Sequence, residues 1–301
     1  MNYQIISDGC CDLTADIISK YRLHIIPFYI SFDEKNYYKE IEEIGIREVY
    51  DRMVGNPDVY PKTSLPSVQN YVDVFIKYVK QGIPIICLCF TVSLSGSVNS
   101  ALNAKKIVEE EYPDAKICVY DSQSGTVSQA LMVIEAGRML LDGVPYEKCV
   151  EILDVMRNSS YIFFSVGNLD YFRHGGRIGK LAGMAVDALS LKPLIVLDHG
   201  VVTPGGIARS RKKSFSKIFD LFKKYLSENN EDINDYSYLI GYGYDIEEGE
   251  KFRSYMEKEM RKLGLNDSEP VSSLQIGATI AVHTGPFAIG FGCVKKYEKF
   301  L

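Results

Sequence analysis

The first half of the chain alternates short apolar runs with amphipathic stretches. YQIIS (3–7), HIIPFYISF (24–32), IPIICLCF (83–90) and KICVY (116–120) have the length and β-branched content of buried strands. Helical patterns cover 68–81, the segment NSALNAKKIVEEE (99–111), 124–142 and 146–157. Strands alternating with helices in this way predict a parallel, doubly wound α/β sheet. The cycle restarts with YIFFSV (161–166), PLIVLD (193–198), VVTP (201–204), YSYLIGYG (236–243) and AIGFGCV (288–294). Only His199 and Gly200 separate PLIVLD from VVTP, which predicts a hairpin and therefore a mixed second sheet. The boundary is expected near 158–160, giving an N-terminal α/β domain over 1–159 and a C-terminal α/β domain over 160–301. No linker rich in Pro, Gly or Ser divides the halves. They are expected to pack closely, with a ligand site in the crevice between them, built from loops beyond strand ends.

Composition narrows the partners. With 301 residues, 46% of them hydrophobic and 24% charged, the chain can bury a large core in two domains. A net charge of −5 argues against nucleic acid and against a polybasic membrane anchor. The longest apolar run falls far short of the ~18–20 residues that span a bilayer, so no stable membrane insertion is expected and any lipid must be met inside a pocket. Seven cysteines, an odd number lying mostly in apolar runs without a signal peptide, read as reduced thiols in a cytoplasm. Adjacent Cys10 and Cys11 lack Cys-x-x-Cys spacing and a matching His cluster, so no metal site is expected.

Candidate chemistry gathers in loops. Thr63, Ser64 and Ser67 of TSLPS stand just before the helical segment 68–81, where hydroxyls and free N–H groups of a helix start converge on an anion. SLSGS (93–97) repeats the arrangement after IPIICLCF: Ser95 offers a hydrogen bond to an oxyanion, and Gly96 lets the backbone approach a ligand. DSQSG (121–125) is a third turn of this type. In LDYFRHGGRI (169–178) paired glycines position Arg177, suited to a carboxylate or phosphate. His283 and Thr284 stand after the apolar IGATIAV and before a Gly-Pro turn, where a neutral imidazole can hold a carboxylate's network in place. ARSRKKS (208–214) sets Arg209, Arg211, Lys212 and Lys213 at a helix start, a docking patch on an acidic protein. Each feature has a plainer structural explanation, as helix cap, tight turn, surface salt bridge or solvated charge.

Taken in order, SDGCCDL, TSLPS, SLSGS, DSQSG, GGRIGK, LKPLI, the arginine of ARSRK and AVHTGPFAIG resemble the DegV family, whose members include FakB-like fatty-acid-binding proteins. The resemblance implies a two-domain α/β carrier of one long-chain fatty acid, without a cofactor and without activity of its own. The acyl chain is expected in a tunnel of the second domain, its carboxylate held by Thr63, Ser95 and His283, with Ser64, Gly96 and Thr284 beside them and Arg177 in support. Arg209 matches a position associated with docking a separate ATP-dependent fatty acid kinase, whose acyl-phosphate product feeds phospholipid synthesis. The chain departs from the pattern at Cys10 and Cys11 and at Phe287, which is expected to shorten or bend the tunnel. Ser128 and Ala130 also replace glycines common in the family. The chief alternative is an acyl hydrolase with Ser95 as nucleophile and His283 as base, against which stands the missing G-x-S-x-G elbow. A nucleotide-binding regulator is the second, and no phosphate-loop fingerprint supports it.

Overall fold

A computed structural model describes residues 2–184 and 191–301. The apolar runs of the first half form β1 (Gln4–Asp8), β2 (His24–Ile26), β6 (Ile85–Cys89) and β7 (Ile117–Asp121), a parallel sheet in the order β2-β1-β6-β7. Side chains alternate across it with period two. Ile85, Cys87 and Cys89 pack towards α3 (Val68–Val79) and α4 (Ser97–Glu111), whereas Ile86 and Leu88 pack towards α5 (Thr126–Leu141). α1 (Ala15–Tyr21) and α6 (Tyr146–Met156) join α5 on its side.

The run HIIPFYISF is not one strand. Pro27 has no N–H to give a ladder, and the chain leaves the parallel sheet at Ile26 and re-forms as β3 (Tyr29–Ser31) in a separate antiparallel sheet. There β3 lies between β4 (Tyr38–Lys39) and β5 (Lys62–Ser64), and α2 (Ile46–Gly55) packs nearby. Thr63 and Ser64 therefore belong to a strand rather than to the start of α3. Only Ser67 caps that helix: its hydroxyl accepts from the Asn70 N–H at 3.2 Å, and the Asn70 side chain accepts from the Ser67 N–H at 2.9 Å.

The second sheet is mixed, in the order β10-β9-β8-β13-β11-β12. Its strands are β8 (Tyr161–Ser165), β9 (Lys192–Asp198), β10 (Val201–Ala208), β11 (Tyr236–Tyr242), β12 (Ser272–Gln275) and β13 (Ile289–Lys295). β11 and β12 are parallel and the other pairs antiparallel. The expected hairpin forms, with His199 and Gly200 at φ +46° and +77°, the signs a two-residue I′ turn requires. β10 runs on past VVTP through a register shift between Pro204 and Gly206. Helices α8 (Arg211–Asn229) and α9 (Ile246–Lys262) cover one face through Phe163, Phe222, Phe252 and Phe291. The other face meets α5, most of whose residues are buried because it lies between the two sheets. α7 (Asp170–His174) and α10 (Ala278–Thr284) pack together, and α10 reaches across to α2, β3 and β5. No described helix is long and apolar enough to cross a membrane.

Candidate functional site

A cavity of about 240 Å³ lies where loops at the ends of the first sheet face the side of the second sheet that meets α5. Both halves of the chain line it, so the space is shared rather than enclosed by the second half. Phe28, Leu65, Phe90, Leu94 and Val127 come from the first half, and Ile162, Phe164, Leu197, Val202, Ile276 and Ile280 from the second. The floor follows from strand register. Gly290 of β13 pairs with Gly241 of β11 on one side and with Phe164 of β8 on the other. Two adjacent glycines without side chains leave a trough in the sheet, and all three residues line the cavity. Glycines inside strand-like runs, in YSYLIGYG and AIGFGCV, were the readable signal for this floor.

At one end the wall turns polar. β5 carries Thr63 and the last turn of α10 carries His283, and the Thr63 Oγ1 and His283 Nε2 lie 2.8 Å apart. His283 Nδ1 is buried without a hydrogen-bond partner among the described residues. Burial, reinforced by the cations Arg177 and Lys62, pushes the imidazole down to about 4, so it is neutral near pH 7. Gly175 sits against this ring, and a Cβ there would overlap Nδ1. Gly176 follows at φ +72°. The paired glycines thus seat His283 as well as aiming Arg177, whose Nε donates to the Leu94 carbonyl at 3.2 Å and Nη1 to the Gly175 carbonyl at 2.6 Å. Arg177 is exposed and fastens the α7 loop to the Leu94 loop across the mouth.

Ser95 lines the cavity near this cluster, and its hydroxyl accepts from the Ser97 N–H at 3.2 Å. Ser64 lines it from an exposed position, and Thr284 lines it too, though the Thr284 hydroxyl donates to the Ile280 carbonyl at 3.0 Å. Gly96 does not line it. It precedes α4, and its tight space is against Leu65, which a Cβ would approach at 3.2 Å. The DSQSG turn contributes Gly125 and the following Thr126, while Ser122 and Ser124 are fully buried and bonded internally. Phe287 does not narrow the cavity: it is 46% exposed and borders a separate, smaller hollow with Tyr60, Tyr171 and Asn168. Arg209 is exposed just before α8, whose Arg211 is held by both Glu248 oxygens at 2.7 and 2.6 Å.

Sequence reasoning missed the supports behind the walls. Asp8 accepts from the Phe90 N–H at 2.8 Å, the Ser97 hydroxyl at 2.6 Å and the Gln129 amide at 2.9 Å. Glu40 accepts from the Thr279 N–H at 3.1 Å and hydroxyl at 2.7 Å. Burial raises both carboxyls above the usual range. They fix the backbone that presents Phe90 and Thr279 to the cavity. Lys62, which donates to the His174 carbonyl at 2.9 Å, was also missed.

The arrangement suits an amphipathic ligand with a long apolar body and one anionic end. It does not form a hydrolytic triad. His283 Nε2 is bonded to Thr63, and among the described residues no hydrogen bond joins it to Ser95 and no carboxylate orients Nδ1.

A family model described as "Uncharacterised protein, DegV family" matches residues 2–296. A DegV domain-containing protein of Clostridium perfringens is 31% identical over 293 residues, covering 97% of this chain and 98% of its own. Among solved structures, a stearic-acid-binding protein from Eubacterium ventriosum is 45% identical with a TM-score of 0.92, covering 99% of each chain. A DegV family protein from Thermus thermophilus, described by its fatty-acid binding, is 27% identical with a TM-score of 0.85, covering 98% of this chain and 100% of that one.

Proposed function

The chain belongs to the DegV family, and on that premise we propose that it is a carrier that encloses one long-chain fatty acid and presents the carboxylate at its surface. The observation that carries this reading is a mostly apolar cavity of about 240 Å³ whose lining includes the Thr63–His283 pair and Arg177. The ligand's carboxylate lies among Thr63, Ser95 and His283, with Ser64 and Thr284 around it and Arg177 closing the mouth. The tail follows the Gly290–Gly241 trough. Each buried methylene contributes about 0.8 kcal/mol, so a tail of ~16 carbons gains on the order of 10 kcal/mol before ordering costs. The tail sets the affinity, and the polar end fixes orientation, since a carboxylate leaves water only where several donors meet it.

In this reading the carrier performs no chemistry of its own. A separate ATP-dependent fatty acid kinase phosphorylates the presented carboxylate, and the acyl phosphate enters phospholipid synthesis in the cytoplasm. Seven unpaired cysteines accord with that compartment. Native mass spectrometry of protein purified from a bacterial host should show about one fatty acid per chain, identified by extraction. A ligand-free spectrum with no uptake of added octadecanoate would overturn the proposal. A fluorophosphonate probe should leave Ser95 unlabelled, and a chromogenic ester series should not turn over.

Arg209 is the docking contact for the kinase in this reading, being exposed and outside the cavity lining. Arg209→Ala should leave fatty-acid affinity within about twofold while slowing kinase-coupled phosphorylation by about tenfold, the usual cost of a central interface arginine. Equal losses in both would assign Arg209 to ligand binding.

A further inference from the structure

The cavity carries a second polar point, away from its mouth. Thr126 lines the wall at the start of α5, and its hydroxyl is buried without a hydrogen-bond partner among the described residues. Behind it stands Asp12, 6% exposed, with both carboxyl oxygens likewise unpartnered. The Thr126 hydroxyl and the Gly277 N–H lie near enough to favour the Asp12 charge, yet neither closes into a hydrogen bond of ordinary geometry. Other threonines of the wall are committed: Thr63 to His283, Thr279 to Glu40 and Thr284 to the Ile280 carbonyl. Thr126 is also held at φ +40°, rare for a β-branched residue, so its surroundings maintain the placement. Buried polar atoms are nearly always paired, and two orphaned groups beside a cavity wall are poised to meet a partner arriving inside it.

The level of this point along the tunnel can be placed. Asp12 abuts Gly277, where a Cβ would overlap its carboxyl, and Gly277 precedes α10, which carries His283 six residues on. At a rise of ~1.5 Å per residue that is about 9 Å. An extended chain advances ~1.2 Å per bond, as the ~3.3–3.6 Å span of a three-bond residue shows. The Asp12–Thr126 level therefore falls about seven to eight bonds from the carboxylate carbon, level with carbon 8 or 9, and the ~3 Å reach of a hydrogen bond brings a hydroxyl on carbon 10 within range.

We propose that Thr126, backed by Asp12, is a polar subsite for a hydroxyl carried near the middle of the acyl chain, so that the ligand class includes mid-chain hydroxy fatty acids. This rests on the fatty-acid reading above. A hydroxyl there both donates and accepts, which matches a threonine hydroxyl beside a carboxyl. In a wholly apolar tunnel the same group would be left unpaired.

The test uses the delipidated full chain titrated with octadecanoic, 10-hydroxyoctadecanoic and 2-hydroxyoctadecanoic acids. Wild-type protein should bind the 10-hydroxy acid within about threefold of octadecanoic acid, where an unpaired buried hydroxyl would weaken it about ten- to a hundredfold. Thr126→Val should weaken the 10-hydroxy acid by about tenfold while changing octadecanoic and 2-hydroxyoctadecanoic acids by less than about threefold, and Thr126→Ser should restore it. A wild-type protein that disfavours the 10-hydroxy acid by tenfold or more overturns the subsite, and that ranking decides the matter even where Thr126→Val fails to fold. Equal loss of all three ligands in a folded Thr126→Val protein overturns it as well. Binding of none of the acids by wild-type protein would instead bring down the fatty-acid reading and this one with it.

Discussion

Ala288→Phe should cut affinity for an 18-carbon fatty acid by about a hundred- to a thousandfold and leave a 10- or 12-carbon acid within about threefold of wild type. Ala288 lines the cavity, is 2% exposed, and lies two residues before Gly290, on the same face of the strand path. A benzyl group there projects over the glycine trough. It takes the place of roughly four to five methylenes, each contributing about 0.8 kcal/mol, so a tail that must vacate the space forfeits about 3–4 kcal/mol. A shorter tail need not enter. The ring fills existing space instead of overpacking a filled core, which ordinarily costs about 1–3 kcal/mol, so the melting temperature of the ligand-free variant should stay near wild type. Titration with acids of 10 to 18 carbons measures the effect. Undiminished binding of the 18-carbon acid by the folded variant would place the tail outside this cavity.

The regular elements were legible because their signals are local. Period-two burial in IPIICLCF, the apolar periodicity of 126–141 and the His199–Gly200 turn each depend on a few adjacent residues, and each forms where the pattern places it. HIIPFYISF failed because composition reports strand character and says nothing of which sheet receives it. Pro27 was the visible sign of a break. The same limit misplaced Thr63 and Ser64: a Ser/Thr-rich segment before a helix reads as a cap, and only tertiary pairing with β3 shows that the strand β5 intervenes.

The polar end of the cavity was legible through motif order, since Thr63, Ser95, Arg177 and His283 all line one cavity although they are spread over more than 200 positions of sequence. The apolar tunnel was not. Phe28, Phe90, Val127 and Ile276 read as ordinary core residues, and no sequence feature separates a side chain that packs against protein from one that faces a void. Asp8 and Glu40 were overlooked for a related reason. Some of their hydrogen-bond donors lie 82 and 239 positions away, at Phe90 and Thr279.

Those buried acids lead to the second large effect, a loss of stability as pH rises above about 6.5. Desolvation by burial raises the Asp12 carboxyl from its ordinary 3.8 to about 8, more than its neighbours Thr126 and Gly277 lower it, and the nearby Glu40 and Asp8 raise it further. Between those values the folded state keeps a proton that the unfolded chain has released, so rising pH favours unfolding by about 1.4 kcal/mol per pH unit. Asp8 and Glu40 are shifted in the same direction, chiefly by burial. His283 acts oppositely: its folded value of about 4 lies below the ordinary 6.5, so it costs stability as pH falls from about 6.5 through 4. Over that lower window the His283 and Asp12 slopes offset one another. Above it only the carboxyls remain, and Asp12 alone should remove about 2 kcal/mol between pH 6.5 and 8. Urea unfolding of delipidated protein at pH 6.5, 7.25 and 8 measures the decline. Asp12→Asn removes the ionisable group while suiting the backbone, because asparagine tolerates the left-handed φ of +52° found there. The variant should match wild type near pH 6 and lose about 2 kcal/mol less on the way to pH 8. An equal decline in both proteins, or none in either, would show that Asp12 does not hold its proton in the folded state.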